Sequence, residues 1–167
     1  MAPLEPPDTW HVSGALGWLG LGNAAEAQAE LEQISAGQRL HPEVLEARWL
    51  ICAELKHWED GLQVARQLIH SAPERPTGWL HQAYALRRVP GGNVQHAWDA
   101  LLPAHRQFPK EPIIPYNLSC YACQLGQLDS ARVWLKRAFA IANKEALKRM
   151  ALDDADLEPL WGEIAGY

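Results

Sequence analysis

The stretch "YNLSCYACQLGQLDSARVWLKRAFAI", residues 116–141, is patterned as two helices joined at a glycine. Before Gly126, apolar residues recur at i, i+3, i+4 and i+7, the spacing of one helix face, and the pattern resumes after that glycine. The stripes are Leu118, Tyr121, Ala122 and Leu125, then Ala131, Trp134, Leu135, Ala138 and Ala142. The stretch therefore predicts a helical hairpin. Ala131, a small residue, would let the second helix approach the first closely.

The same hairpin signature recurs along the chain. A turn followed five residues later by a small residue occurs in "LGLGNAAEA" (19–27), "AELKHWEDG" (53–61) and "CQLGQLDSA" (123–131). Gly22 and Lys56 lie 34 residues apart, and Gly126 lies 70 residues beyond Lys56. The surplus of two is explained by a longer turn in "RRVPGGNVQHA" (87–97), where Ala97 is the small residue. A fixed period of this length predicts four stacked hairpins.

Composition restricts the function classes. The chain of 167 residues is rich in helix-forming residues, shows no sustained strand-like alternation, and has a formal charge of -5, which disfavours nucleic-acid binding. Its most apolar run, "GALGWLGLG" (14–22), is too short to span a membrane. Three cysteines without disulfide-framework spacing favour a reduced, cytoplasmic protein. No nucleotide-binding, hydrolase or metalloprotease motif occurs, so we expect neither an enzyme nor a cofactor or metal.

The 34-residue period with paired helices resembles the tetratricopeptide repeat (TPR). Trp79 and Ala83 match the large and small residues early in the first helix of a repeat, and Pro42, Pro73 and Pro109 match the proline that closes a second helix. The stretch "NKEALKRMALDDADLEPLW" (143–161) resembles the tail of bacterial TPR end-of-group proteins. The resemblance implies an all-α, right-handed α-α superhelix of about four helical hairpins.

The repeat register predicts the following organisation. Residues 1–7 form a flexible arm, 8–41, 42–75, 76–111 and 112–142 are repeats, and 143–167 form a capping helix and tail. Asn93 and Asp129 are expected N-caps of second helices. The cap is expected to bury Ala146, Leu147 and Met150, with Leu157, Leu160 and Trp161 folding back as a lid. Asp153, Asp154 and Asp156 are expected to form a solvated acidic turn, since the glycine and distal glutamate of a calcium loop are missing.

In the family, a second stripe of each first helix lines a concave groove that binds an extended or helical segment of a partner protein. The resemblance implies that this groove is lined by Leu16, Glu46, Leu50, Leu80, Tyr84, Arg87, Arg88, Tyr116, Asn117, Cys120 and Gln124. A protein-protein interaction module or adaptor is the leading prediction, and a small secretion-type chaperone for an extended client is an alternative. Exposed end repeats also allow a homo-oligomer.

Cys120 and Cys123 form a C-x-x-C, which raises the alternative of a thiol redox module. A reactive thiol of this type lies at a helix N-terminus, whereas Cys120 is predicted about two turns inside a helix that begins near Pro112. Zinc needs roughly four ligands, and Cys52 lies 68 residues before Cys120. The spacing therefore favours two small residues in the groove wall over a reaction centre.

Overall fold

The computed structural model of the chain describes residues 2–166, and every regular element within that range is a helix. In chain order the first elements are α1 (Asp8–Gly20), α2 (Ala24–Glu32), a 3-10 turn (Ala36–Gln38), α3 (Pro42–Glu54) and α4 (Trp58–Ser71). Then follow α5 (Thr77–Leu86), α6 (Val94–Leu101), α7 (Ala104–Gln107), α8 (Ile113–Gln124), α9 (Leu128–Ile141), α10 (Lys144–Asp153), a 3-10 helix (Ala155–Leu160) and α11 (Trp161–Ile164).

The helices cluster into two compact units that divide between Ala85 and Leu86. In the first unit α1 packs against α2, and α3 packs against α4. In the second unit α8 packs against α9, and α10, the C-terminal 3-10 helix and α11 pack against one another. The hairpin predicted from residues 116–141 is confirmed by α8 and α9. The first helices of the four predicted repeats begin at Asp8, Pro42, Thr77 and Ile113.

Three of the inter-helix turns have the same backbone structure. Each has one residue in the left-handed region, at Gly22 (φ 74°), Lys56 (φ 57°) and Gly126 (φ 74°). In each turn the following N–H donates to the carbonyl five residues back, over 2.9, 2.8 and 2.8 Å. This 6→1 bond satisfies a carbonyl that the helix end would otherwise leave without a partner. The turn after α5 differs because the backbone closes tightly at Gly92, where a Cβ would lie 2.1 Å from the Leu86 oxygen.

The predicted small residues lie where the paired helices come close. Ala27, Ala97 and Ala131 have no exposed surface, and Gly61 is buried against Cys52. At the α8–α9 contact the Ser119 hydroxyl donates to the Ala131 carbonyl over 2.8 Å. This bond also satisfies a hydroxyl that is fully buried.

Residues 2–7, ahead of α1, pack against the rest of the first unit, which differs from the expected flexible arm. Leu4 is 6% exposed and shares a core cluster with Val12 and Ala15. The ring of His41, also buried, donates through Nε2 to the Ala2 carbonyl over 3.2 Å and accepts at Nδ1 from the Glu43 N–H. An apolar side chain and a buried ring nitrogen thus tie this segment to the unit.

Two details of the helix ends differ from expectation. Asn93 caps α6 by accepting from the His96 N–H over 2.8 Å, as predicted, but α9 has Gln127 at its N-cap. Asp129 lies inside the first turn of α9 instead, where it pairs with Arg132. Pro42 opens α3 and does not close the preceding helix. Its missing N–H is tolerated there because the first turn has no intrahelical acceptor for it.

The capping helix α10 buries a different face from the predicted one. Leu147 is buried as expected, but Ala146 is exposed and Met150 is 40% exposed. Ala151 is the second buried residue of the helix, one turn beyond Leu147. Of the expected lid residues, Leu157 and Leu160 are buried, at 0% and 1% exposed, whereas Trp161 is half-buried and donates through Nε1 to the Ala151 carbonyl over 3.0 Å.

Lys56 offers a test of the turn geometry. Replacing Lys56 with Gly removes the steric cost of a left-handed lysine but adds backbone freedom to the unfolded chain, so we expect a net gain of about 0.5–1 kcal/mol. The converse change, Gly126→Ala, meets no neighbouring atom within 4 Å, and its effect is therefore purely conformational. We expect it to destabilise by about 1 kcal/mol. Urea unfolding measures the stability of both variants. Equal unfolding midpoints would contradict the left-handed backbone conformation that the two turns share.

Candidate functional site

Two rows of first-helix positions repeat at the predicted spacing. The first, here named the Leu16 row, consists of Leu16, Leu50, Tyr84 and Cys120, and the second, the Val12 row, consists of Val12, Glu46, Leu80 and Tyr116. In both rows the steps are 34, 34 and 36 residues. The first three members of each row belong to the first unit, and the fourth belongs to the second.

In the first unit the Leu16 row is exposed. Leu16, Leu50 and Tyr84 show 44%, 42% and 39% of their surface, respectively. Exposing large apolar side chains to water is unfavourable. When such side chains recur at the same position of successive repeats, the surface that they form commonly marks an interaction site. The Val12 row beside it is mostly covered, with Val12 buried and Leu80 half-buried.

Glu46, a half-buried member of the Val12 row, is held by two side chains. Its Oε1 accepts from the Thr77 hydroxyl over 2.9 Å and lies 3.5 Å from Arg75 Nη1. The carboxylate is therefore used to join α3 to the start of α5. The negative charge of Glu46 is therefore already compensated by Arg75 within the first unit.

Tyr84 is supported by an aromatic cluster in the first unit. Its ring lies 5.8 Å from the Trp49 ring and 5.8 Å from the Trp58 ring, and Trp49 stacks on His81 at 3.7 Å. Burial lowers the pKa of His81 to about 4, so the imidazole is neutral near pH 7. The cluster holds the exposed phenol ring of Tyr84 on a rigid base.

In the second unit the fourth members of both rows are covered by residues 154–166, the segment after α10, here named the tail. Tyr116 is 3% exposed and Cys120 is 2% exposed. The Asp154 carboxylate accepts from the Tyr116 hydroxyl over 2.8 Å and from the Cys120 thiol over 3.5 Å. These residues were expected to line an open groove, and the structure places them beneath the start of the C-terminal 3-10 helix.

The second aspartate of the tail holds the other predicted groove residues. Arg87 Nη1 donates to Asp156 over 2.7 Å, and Arg87 Nη2 donates to Gln124 over 2.9 Å. Gln124 in turn donates to Asp156. Burial by itself lowers the pKa of Arg87, but the hydrogen bond and charge of Asp156 outweigh it and raise the pKa above its ordinary value. Arg87 also lies 5.6 Å from the centroid of the Tyr121 ring.

Asp153 is exposed, as expected of a solvated turn, but Asp154 and Asp156 are half-buried hydrogen-bond acceptors. Asp154 also caps the 3-10 helix by accepting from the Asp156 N–H over 3.0 Å. The remaining predicted groove residues, Arg88 and Asn117, are half-buried. The D-x-D spacing signals local capping, but no sequence pattern names the distant residues that the pair contacts.

No protein-family model and no curated protein matches this sequence. Among solved structures, the chain resembles TTC0263, a thermophilic TPR protein in Thermus thermophilus. The identity is 17%, the TM-score is 0.75, and the match covers 94% of this chain and 82% of that one. It also resembles MamA MSR-1 C2, with 15% identity, a TM-score of 0.63, and coverage of 81% and 76%. The chain has a TPR-type fold. Within residues 2–166, no helix has the length and apolar character needed to cross a membrane.

The thiols of this TPR-type chain are poorly placed for redox chemistry. Burial, together with the charges of Asp154 and Asp156, raises the pKa of Cys120 far above the ordinary thiol value. Burial and Asp156 also raise the pKa of Cys123. Since the thiolate is the reactive form, both shifts oppose a reactive dithiol.

Cys120, Asp154 and Asp156 also bring three potential metal-ligand atoms within 4.8 Å of one another. Their acceptor atoms already have protein partners, namely Tyr116, Arg87 and Gln124. A cation would have to displace the Arg87 guanidinium, and the two positive charges would repel each other.

We expect slow alkylation of Cys120 and Cys123 in the native state. With iodoacetamide at pH 8, both thiols should react at least tenfold more slowly than in urea, because their thiolate forms are suppressed and covered. Mass spectrometry of the digested protein measures each site. Native rates equal to or above those of a free thiol would restore the redox interpretation.

The Asp156 contact is testable by substitution. Asp156→Asn keeps the side-chain size but removes the charge that compensates Arg87, and we expect a loss of about 1–2 kcal/mol in the free energy of unfolding. Hydrogen exchange should accelerate in residues 154–164. The control is Asp129→Asn, which removes a fully exposed carboxylate that also pairs with an arginine. It should leave the unfolding midpoint unchanged, and an equal effect of both variants would show that Asp156 contributes only net charge.

Proposed function

We propose that the chain is a non-enzymatic TPR binding module, and that its first unit holds a peptide or helix of a partner protein along the exposed Leu16 row. The exposure of Leu16, Leu50 and Tyr84 at equivalent positions of successive repeats supports the proposal. An isolated exposed leucine is ordinary, whereas three large apolar side chains in one repeat register are not.

The chemistry of this row favours a partner with spaced apolar anchors. An amphipathic helix or an extended segment presents apolar side chains on one face, and either can place them against successive repeats. Tyr84 is suited to the strongest contact, because a ring fixed by Trp49 and Trp58 loses little conformational freedom on binding. Glu46 is engaged within the unit, so apolar burial, not an ion pair at this residue, would supply most of the affinity.

The proposal confines the site to the first unit. In the second unit the corresponding positions, Tyr116 and Cys120, are covered by Asp154. Arg87 and Gln124 are engaged with Asp156. A partner that used these residues would first have to expose Leu157 and Leu160, both completely buried, at a cost of about 1.5–3 kcal/mol for each side chain.

Selection from a random peptide library displayed on phage tests the proposal, with the full chain as bait. We expect enriched peptides to carry apolar residues at regular spacing. Leu50→Ala and Tyr84→Ala should each weaken binding of a selected synthetic peptide by about five- to tenfold, equivalent to about 1–1.4 kcal/mol.

The matched control is Leu55→Ala. Leu55 is 38% exposed, close to the 42% of Leu50, but it follows α3 and does not belong to the Leu16 row. Fluorescence anisotropy with each variant should show that binding depends on Leu50 and not on Leu55. Failure to enrich any peptide, or equal losses in both leucine variants, would contradict the assignment.

A further inference from the structure

A cavity of about 490 Å³ opens on the second unit. The stretch formed by the end of α6 and by α7 supplies one side of it, and α9 supplies the other. Its lining residues are Leu102, Pro103, His105, Arg106, Trp134 and Arg137. It therefore lies outside the Leu16 row and is independent of the function proposed above.

The cavity is positively charged. Arg106 and Arg137 are both exposed, and no acidic residue is among the lining residues. Among the ion pairs of residues 2–166, neither arginine is joined to a carboxylate. In a chain with a net charge of -5, two such arginines lining one cavity form a local surplus of positive charge.

The pKa of His105 reflects the positive charge of the cavity. Burial lowers the pKa of His105, and the charges of Arg137 and Arg106 lower it further. Its Nδ1 is buried without a hydrogen-bond partner in the described part of the chain. An anion placed between the two arginines would reverse their effect on the imidazole.

One of the two arginines is held in position by aromatic packing. The Arg137 guanidinium carbon lies 4.6 Å from the centroid of the Trp134 ring. Trp134 is 8% exposed and is fixed edge-on by Trp98 at 6.1 Å and by His105 at 4.8 Å. A guanidinium stacked on an aromatic face keeps its N–H groups directed outward, where they can bind an oxyanion in a fork.

We propose that this cavity binds a phosphate group through Arg106 and Arg137. Two guanidinium groups match a doubly charged tetrahedral anion in charge and in donor geometry. The exposed side of Leu102 (38%) and the neighbouring Pro103 form an apolar wall that can accommodate the organic part of a phosphate monoester. The shared ligand chemistry is the phosphoryl group, whether it is free or attached to a peptide.

Titration with inorganic phosphate at constant ionic strength tests the site. We expect saturable binding, measured by calorimetry, together with an upward shift in the pKa of His105 followed by proton NMR of its ring. Arg106→Gln and Arg137→Gln should each weaken binding at least tenfold and abolish the His105 response to phosphate. Arg149→Gln, which removes the same charge from an exposed position on α10, should change the affinity less than twofold.

A phosphoserine tripeptide and its serine counterpart distinguish the two ligand sources. Tighter binding of the phosphopeptide than of inorganic phosphate assigns the site to a modified chain, whereas equal affinities assign it to free phosphate, and both results support the proposal. It is overturned if phosphate does not saturate, or if Arg149→Gln weakens binding as much as the two cavity variants. It is also overturned if acetate binds as tightly as phosphate.

Discussion

Two helices of a hairpin can pack closely only where the side chains at their contact are small, and this constraint organises the chain. Ala27, Gly61, Ala97 and Ala131 satisfy it, and each is buried. The close approach in turn requires a compact turn, which the left-handed residue and its 6→1 hydrogen bond provide in three of the four turns. A larger side chain at any of the four positions would separate the helices or overpack the neighbouring core. Such a change typically lowers the free energy of unfolding by about 1–3 kcal/mol.

The repetition of the helical hairpin also decides which side chains remain exposed. Because the spacing is regular, Leu16, Leu50 and Tyr84 occupy equivalent places on successive first helices and remain exposed together. In the second unit the equivalent position, Cys120, is covered by the acidic segment that contains Asp154 and Asp156. Arg87, with 16% of its side chain exposed, needs a compensating carboxylate because an unpaired cation there would lose most of its hydration. Asp156 provides that charge, and the buried Leu157 and Leu160 anchor the segment that carries it.

Local patterns in the sequence predict the helices, the turns and the small residues at the contacts, because each depends on residues close together in the chain. They also predict the lid formed by Leu157 and Leu160. The contact between Arg87 and Asp156 spans 69 residues, and no local period encodes it. The buried face of α10 differs from the predicted one for a related reason. Both Ala146 and Ala151 fit an amphipathic stripe, and only packing against the rest of the second unit selects Ala151.

Cys120, the first cysteine of the C-x-x-C motif, acquires a physical explanation from this arrangement. Position 120 is the fourth member of the Leu16 row, whose other members are Leu, Leu and Tyr. The Asp154 carboxylate lies 3.5 Å from the Cys120 sulfur, so a leucine or tyrosine here would occupy space that the tail now fills. A small side chain with a weak S–H donor both admits the carboxylate and bonds to it. The cysteine is thus explained by the space that the tail needs. Burial, together with the charges of Asp154 and Asp156, raises the pKa of Cys120 and so suppresses the reactivity that a C-x-x-C usually signals.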